Sequence, residues 1–435
     1  MASTSQPPRA PGAARPPYLS GLLDLLLVLV VALFISLKLK EYYNINLVLL
    51  GVALVFALRN VFLDAPWSRA GRLNLLDVAV AAVALHEVGG YFVSAYRANS
   101  FYSVAEALAL FLFYWLVRLN LEREYQQTAL YLFLSLWGVL LSAAACYYYY
   151  HLSARLRALG FEDITDFRNH IYFLNPVGLS VGEWCTVLFL LLPFPLALLV
   201  KFRRVRYARW LLTLAATAIL GAMALTFIRG VYIGAAAFVV VGNALCWLYG
   251  LFPARRLAAL NLAALVLLSL ALSPVRRPVL TTLSLFGTTS QVRSFEGRKT
   301  IWKDSLAMVE DHPWFGVGSN NFPMRYAAYR AQSDDAVFAV RPFNYVLHIL
   351  IEKGVVGLLV YGFFFFSLFL TSHRKLTRLR GDVYRQSVVV LFVTAVVSAV
   401  VRDMSESSIL INHGVGALLW FMFALLARSP GEVNP

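Results

Sequence analysis

TFIRGVY (residues 226–232) and RPFNYVLHILIEKGVVG (residues 341–357) bracket the longest polar excursion of a chain otherwise built from apolar runs. An α-helix needs about 20 mainly apolar residues to cross a hydrocarbon core of roughly 30 Å, and it satisfies its own backbone N–H and C=O groups on the way. Runs of that length recur on both sides of the excursion, and 60% of the 435 residues are hydrophobic against 14% charged. The expected fold is an all-α polytopic membrane protein. Apolar windows near 20–37, 45–62, 75–93, 102–118, 127–146, 184–200, 209–228, 231–250, 257–273, 355–372, 385–402 and 408–427 make about twelve spans.

The formal charge of +15 sits mainly between those runs. Clusters such as Arg118/Arg123, Lys201/Arg203/Arg204/Arg206/Arg209 and Arg374/Lys375/Arg378/Arg380/Arg385 alternate with short loops that carry only Lys38/Lys40, Arg97 or Arg402. Basic residues gather on the cytoplasmic side of short loops, so both termini are expected in the cytoplasm and nucleic acid is not an expected partner. The chain then divides into a disordered cytoplasmic tail (1–18), nine spans (19–273), an outer loop with a re-entry helix (274–354), three spans (355–428) and a short cytoplasmic tail (429–435). Cys146, Cys185 and Cys246 have no metal-ligand spacing; free thiols are the simplest reading, with a Cys146–Cys185 disulfide the alternative.

Two longer segments fall outside. Residues 147–183 open on four tyrosines, as an interfacial aromatic belt does, followed by a Leu/Arg periodicity that suggests a short interfacial helix. Residues 274–342 contain TIWKDSLAMVEDHPWFGVGSNNFPMRYAAYR, which reads as two amphipathic helices broken at Asp311-His312-Pro313 and a Gly-rich turn. Arginines at this outer mouth imply an anionic ligand, because hydrocarbon solvates charge poorly. Arg229 stands at a helix junction beside Gly230, and Arg298 opens an amphipathic helix. Planar guanidinium forks grip phosphoanhydride oxygens in pairs, so both are candidates for that ligand, with Arg341 and Asn344 as further substrate-binding positions. Asn344, His348 and Glu352 recur at i, i+4 and i+8, one helical stripe that is expected to face a cavity. The adjacent Asp334 and Asp335 are expected to be solvated rather than metal ligands, since successive side chains diverge.

The order of Arg229-Gly230, Arg298 with Trp302 a turn later, DHPWFGVGSNNF (311–322) and a re-entry helix ending in Glu352, Gly354 and Gly357 resembles the O-antigen ligase/polymerase superfamily. The resemblance implies a GT-C-like, metal-independent, inverting glycosyltransferase of the bacterial inner membrane. Its active site would lie at the periplasmic face, with no cofactor. Its donor would be an undecaprenyl-diphosphate-linked O-antigen and its acceptor a lipid A-core sugar, with membrane lipids around it. Arg229 and Arg298 would contact the diphosphate and His348 would be catalytic. The family pattern of His, then Asn, Ser or Gln, then nine residues and GxxG lands on Phe343-Asn344, so phenylalanine stands at the histidine position and His348 is the nearest substitute. An O-antigen polymerase or a protein O-oligosaccharyltransferase would share the donor. A transporter of lipid-linked glycan is the reading from a different class.

Overall fold

The computed structural model describes residues 26–35, 73–121, 123–158, 181–226, 228–271, 289–330, 339, 341–405 and 413–428. In chain order the helices are α1 (Leu26–Ile35), α2 (Leu75–Val93), α3 (Arg97–Asn120), α4 (Glu124–Ala158), α5 (Val181–Leu191), α6 (Pro193–Lys201), α7 (Arg206–Ala224), α8 (Arg229–Leu248), α9 (Ala254–Ala271), α10 (Thr289–Asp311), α11 (Phe322–Arg330), α12 (Tyr345–Arg378), α13 (Val383–Asp403) and α14 (His413–Ala427). No strand occurs among the described residues, and eight helical stretches are long and apolar enough to cross a membrane. The chain is an all-α polytopic membrane protein. The expected span at 45–62, both tails, the segment 159–180 and Asp334-Asp335 lie outside the described residues.

Local sequence explains the boundaries. Asn74 and Asp77 form a capping box that starts α2, with Asp77 N–H 3.0 Å from Asn74 Oδ1 and Asn74 N–H 2.8 Å from Asp77 Oδ2. Pro193 lacks an N–H, and the span expected at 184–200 is delivered as α5 and α6. Helix α4 runs past its span through the tyrosines to Ala158, so the expected interfacial helix begins as a continuation of α4; no Gly or Pro interrupts it after Gly138 until Gly160. Cys146 and Cys185 are free thiols.

Antiparallel packing sorts the bundle into two ends. At one end Lys375 Nζ donates to the carbonyl of Leu425 (2.7 Å), Lys201 pairs with Glu124 (2.7 Å), and Arg118, buried, pairs with Asp77 (2.9 Å). Several basic residues of the short loops thus satisfy carbonyls and charges at helix ends, besides biasing topology. At the other end Arg402, fully buried, holds Asp403 (2.7 Å) and Thr186 (2.6 Å). Helix α8 lies on α13 through a small-residue face, with Gly230 against Ser405, Gly234 against Arg402 and Phe189, and Gly242 against Thr394. A Cβ at position 234 would stand 2.9 Å from the Phe189 ring. Gly234→Leu is therefore expected to lower stability by about 1–3 kcal/mol in thermal unfolding in detergent. Gly89→Leu, where nothing lies within 4 Å, should not destabilise and should gain up to about 1 kcal/mol through helix propensity.

The outer excursion forms the expected helical pair, α10 and α11, joined by a turn at residues 312–321. Ile301, Met308, Val317, Phe322 and Tyr326 make a small second core that docks on Leu347 and Ile351 of α12.

Candidate functional site

The site is built around a break in α12. Asn344 starts the helix by accepting the Leu347 N–H (3.0 Å), and Gly354 then interrupts it with φ 64° and ψ −168°. A broken turn strands backbone groups on both sides. The 312–321 turn takes them up: Val317 and Gly318 donate to the carbonyls of Ile351 (2.8 Å) and Glu352 (3.0 Å), while Val355 and Val356 donate to those of Pro313 (2.8 Å) and Trp314 (3.1 Å). The approach is close enough that a Cβ on Gly316 would stand 2.4 Å from the Glu352 carbonyl carbon. The DHPWFGVG stretch is thus a clasp on the kink, and its glycines are required by contact.

Past the clasp, the chain plants three polar residues on the α2–α3 corner. Asn321 donates to Ser94 (2.7 Å), Asn320 to Ser103 (2.7 Å), and the Ser319 carbonyl accepts from Ser100 (2.9 Å). Ser319 Oγ also donates to Glu87 Oε2 (2.8 Å) and accepts from Lys353 Nζ (2.9 Å). Lys353 forms a buried ion pair with Glu87, which further accepts from the Tyr361 hydroxyl at 3.3 Å. One residue earlier, Glu352 Oε1 accepts the Phe322 N–H (3.1 Å) and lies 3.4 Å from His348 Nε2. His348 is 1% exposed, with the Phe322 ring edge-on against it.

The arginines sit above. The Arg298 and Arg341 guanidinium carbons lie 5.3 and 5.6 Å from the centre of the Phe343 ring, and Trp302 Nε1 donates to the Pro342 carbonyl (2.8 Å), tying α10 to the start of α12. Tyr326 donates to Asp304 (3.4 Å) and Tyr329 to Asp311 (2.5 Å); burial pushes both hydroxyls up to about 12, so they stay protonated donors that latch α11 to α10. Arg229 opens α8, whose Gly230 packs on Ser405 and Arg402 at this same end of the bundle. Residues 184–362 match a family model described as O-Antigen ligase. The similarity to that family covers 179 of the 435 residues. No curated protein matches the chain.

The match supports a glycan-transfer role in lipopolysaccharide synthesis, and the apolar helices support a multi-pass, membrane-embedded protein. The family segment runs from α5 to the second half of α12, and it contains Arg229, Arg298, Arg341, Asn344 and His348. The structure brings Arg298 and Arg341 together at Phe343, which takes a positive φ of 52°. Arg229 lies at the same end on a different helix pair. The expected stripe is split: Asn344 turns back as a cap, His348 is packed behind Glu352 under Phe322, and Glu352 lines a cavity. Sequence reasoning passed over Glu87, Glu106, Ser319 and Lys353. Glu87, in the apolar run of α2, carried a usable signal, since a carboxylate at membrane depth needs a partner.

Proposed function

We propose that this protein is an O-antigen ligase that transfers a glycan from undecaprenyl diphosphate to a sugar hydroxyl of lipid A-core at the periplasmic face of the inner membrane. The observation that carries the reading is the pairing of Arg298 and Arg341 on one aromatic ring at the mouth of the bundle, at the end where Arg229 begins α8. Two guanidinium groups beside one ring bring planar N–H forks together, and phosphate oxygens accept from such forks in pairs. A sugar C1 bonded to diphosphate already carries a good leaving group, so the enzyme needs mainly to stabilise the charge that develops on the departing oxygens. Each preorganised donor is worth about 2.7–4 kcal/mol of that charge in the transition state. Attack from the opposite face inverts C1, and the proton of the acceptor hydroxyl passes to the buried His348–Glu352 pair.

Arg298→Ala is expected to lower kcat/KM by roughly 10²–10³-fold, and Arg298→Lys not to restore it, because an ammonium cannot reproduce the guanidinium fork. Arginines can do the electrostatic work of a metal here, so transfer should proceed in EDTA; activity that returns only with a divalent ion would count against this mechanism. The deciding assay incubates the purified protein with undecaprenyl-diphosphate glycan and one acceptor at a time. Glycan on lipid A-core supports the ligase. Glycan appearing only on a second donor glycan, or only on a protein, would assign the sister activities.

A further inference from the structure

A partly open cavity of about 120 Å³ lies between α2, α3, α12, α13 and α14, at the end of the bundle that carries the arginines. One water needs roughly 10–15 Å³ on this measure, so the space takes several waters or a ring of similar bulk. Its wall has two characters, the carboxylates of Glu87, Glu106 and Glu352 and the aromatic side chains of Tyr345, Tyr361 and Trp420. Glu87 is neutralised by Lys353, but the wall still carries more negative than positive charge. Glu352 is only 6% exposed, and both groups that hold it, the Phe322 N–H and His348, engage Oε1. Glu352 lines the cavity, and Oε2, engaged by neither group, is its remaining acceptor.

We propose that this cavity receives the acceptor sugar and that Glu352 Oε2 takes the proton of the attacking hydroxyl, with His348 as a positioning residue behind it. The assignment rests on the glycan-transfer reading given above. Sugars offer hydroxyl donors along their edges and C–H groups on their faces, and a wall of carboxylates and aromatic rings complements both. The same negative wall repels a diphosphate, so the two substrates are sorted by charge: the donor to the arginines, the neutral sugar to the carboxylates. Tyr345, which lines the cavity, follows Phe343 by two residues, and Glu352 lies about 10 Å further along α12 at 1.5 Å per residue. As the acceptor oxygen bonds to C1, the C1–O bond to the diphosphate breaks with its electron pair leaving on the diphosphate, and the hydroxyl proton moves to Glu352. The His348 N–H holds Oε1 and fixes the direction of Oε2.

The test uses full-length protein in two arms. In the first, kcat and both KM values are measured for transfer from undecaprenyl-diphosphate glycan. Glu352→Gln should lower kcat by roughly 10²–10⁴-fold with the donor KM within about twofold, and Glu106→Gln should raise the acceptor KM alone, by about tenfold, the cost of one hydrogen bond to a charged group. His348→Gln, whose amide can still donate to Oε1, should retain more activity than His348→Leu. A wild-type kcat in Glu352→Gln, or equal losses in the two His348 variants, overturns the assignment. The second arm omits the donor: Ser103→Cys, in the cavity wall, should be protected from a maleimide by methyl glycosides, with wild-type labelling subtracted. Absence of protection at saturating glycoside sinks the cavity even where transfer works. A wild-type protein that transfers to no acceptor defeats the ligase reading, and the protection arm then decides the cavity by itself.

Discussion

Lys353→Met is expected to destabilise the folded bundle by about 3–5 kcal/mol, the range for breaking a buried ion pair from one side. Lys353 and Glu87 are both nearly inaccessible, so removing the ammonium leaves a carboxylate at membrane depth with two neutral protein groups on it, the Ser319 and Tyr361 hydroxyls. Hydrogen bonds from two neutral groups do not replace a charge partner in a medium that solvates ions poorly. Adding Glu87→Gln to Lys353→Met should recover most of the loss, because the amide oxygen accepts from one hydroxyl, its NH2 donates to the other, and no unpaired charge remains. Thermal unfolding of the four proteins in detergent completes a double-mutant cycle. A loss in the double variant equal to the sum of the two single losses would mean that the pair carries no coupling and that the loss at position 353 comes from packing.

Much of this architecture was legible in the sequence because its causes are local. Among the described residues the apolar runs are helices, and the amphipathic pair at 274–342 breaks where His312, Pro313 and the glycines of 316 and 318 require a turn. The two glycines take φ values of 68° and 93°, which an L side chain resists. What the sequence did not disclose are the contacts between distant segments. Glu87 and Lys353 are separated by 266 residues, and no periodicity relates them. The polar stripe of Asn344, His348 and Glu352 was drawn on an ideal helix, whereas Phe322 from α11 covers His348 and Asn344 is consumed as a cap. Arg298 and Arg341 could each be singled out as a cation near the mouth, but their meeting at Phe343 depends on α10 folding back along the start of α12, held by Trp302. Helical pattern therefore reveals which side chains are available, and the tertiary clasp decides which of them share a site.

Gly354→Ala is expected to cost about 3 kcal/mol or more and to abolish transfer in whatever protein still folds. The residue occupies φ 64° and ψ −168°, a region that is essentially reserved for glycine, and a Cβ there would stand 2.2 Å from the Trp314 carbonyl oxygen. That oxygen belongs to backbone held by its own hydrogen bond from Val356, so it cannot swing aside as a flexible side chain would. Relief requires the clasp to open, which frees the carbonyls of Ile351 and Glu352 from Val317 and Gly318 and withdraws the Phe322 N–H from the Glu352 carboxylate. The loss of activity should therefore exceed what the remaining folded fraction explains. Gly362→Ala supplies the control: it lies in the same helix with open space around it, and replacing glycine there should stabilise by up to about 1 kcal/mol through helix propensity alone. Opposite signs at the two positions, read as unfolding temperatures alongside transfer rates, identify the clasp as the cause; a Gly354→Ala protein that gains stability as Gly362→Ala does would show that α12 prefers to run straight and that the kink does not hold the site.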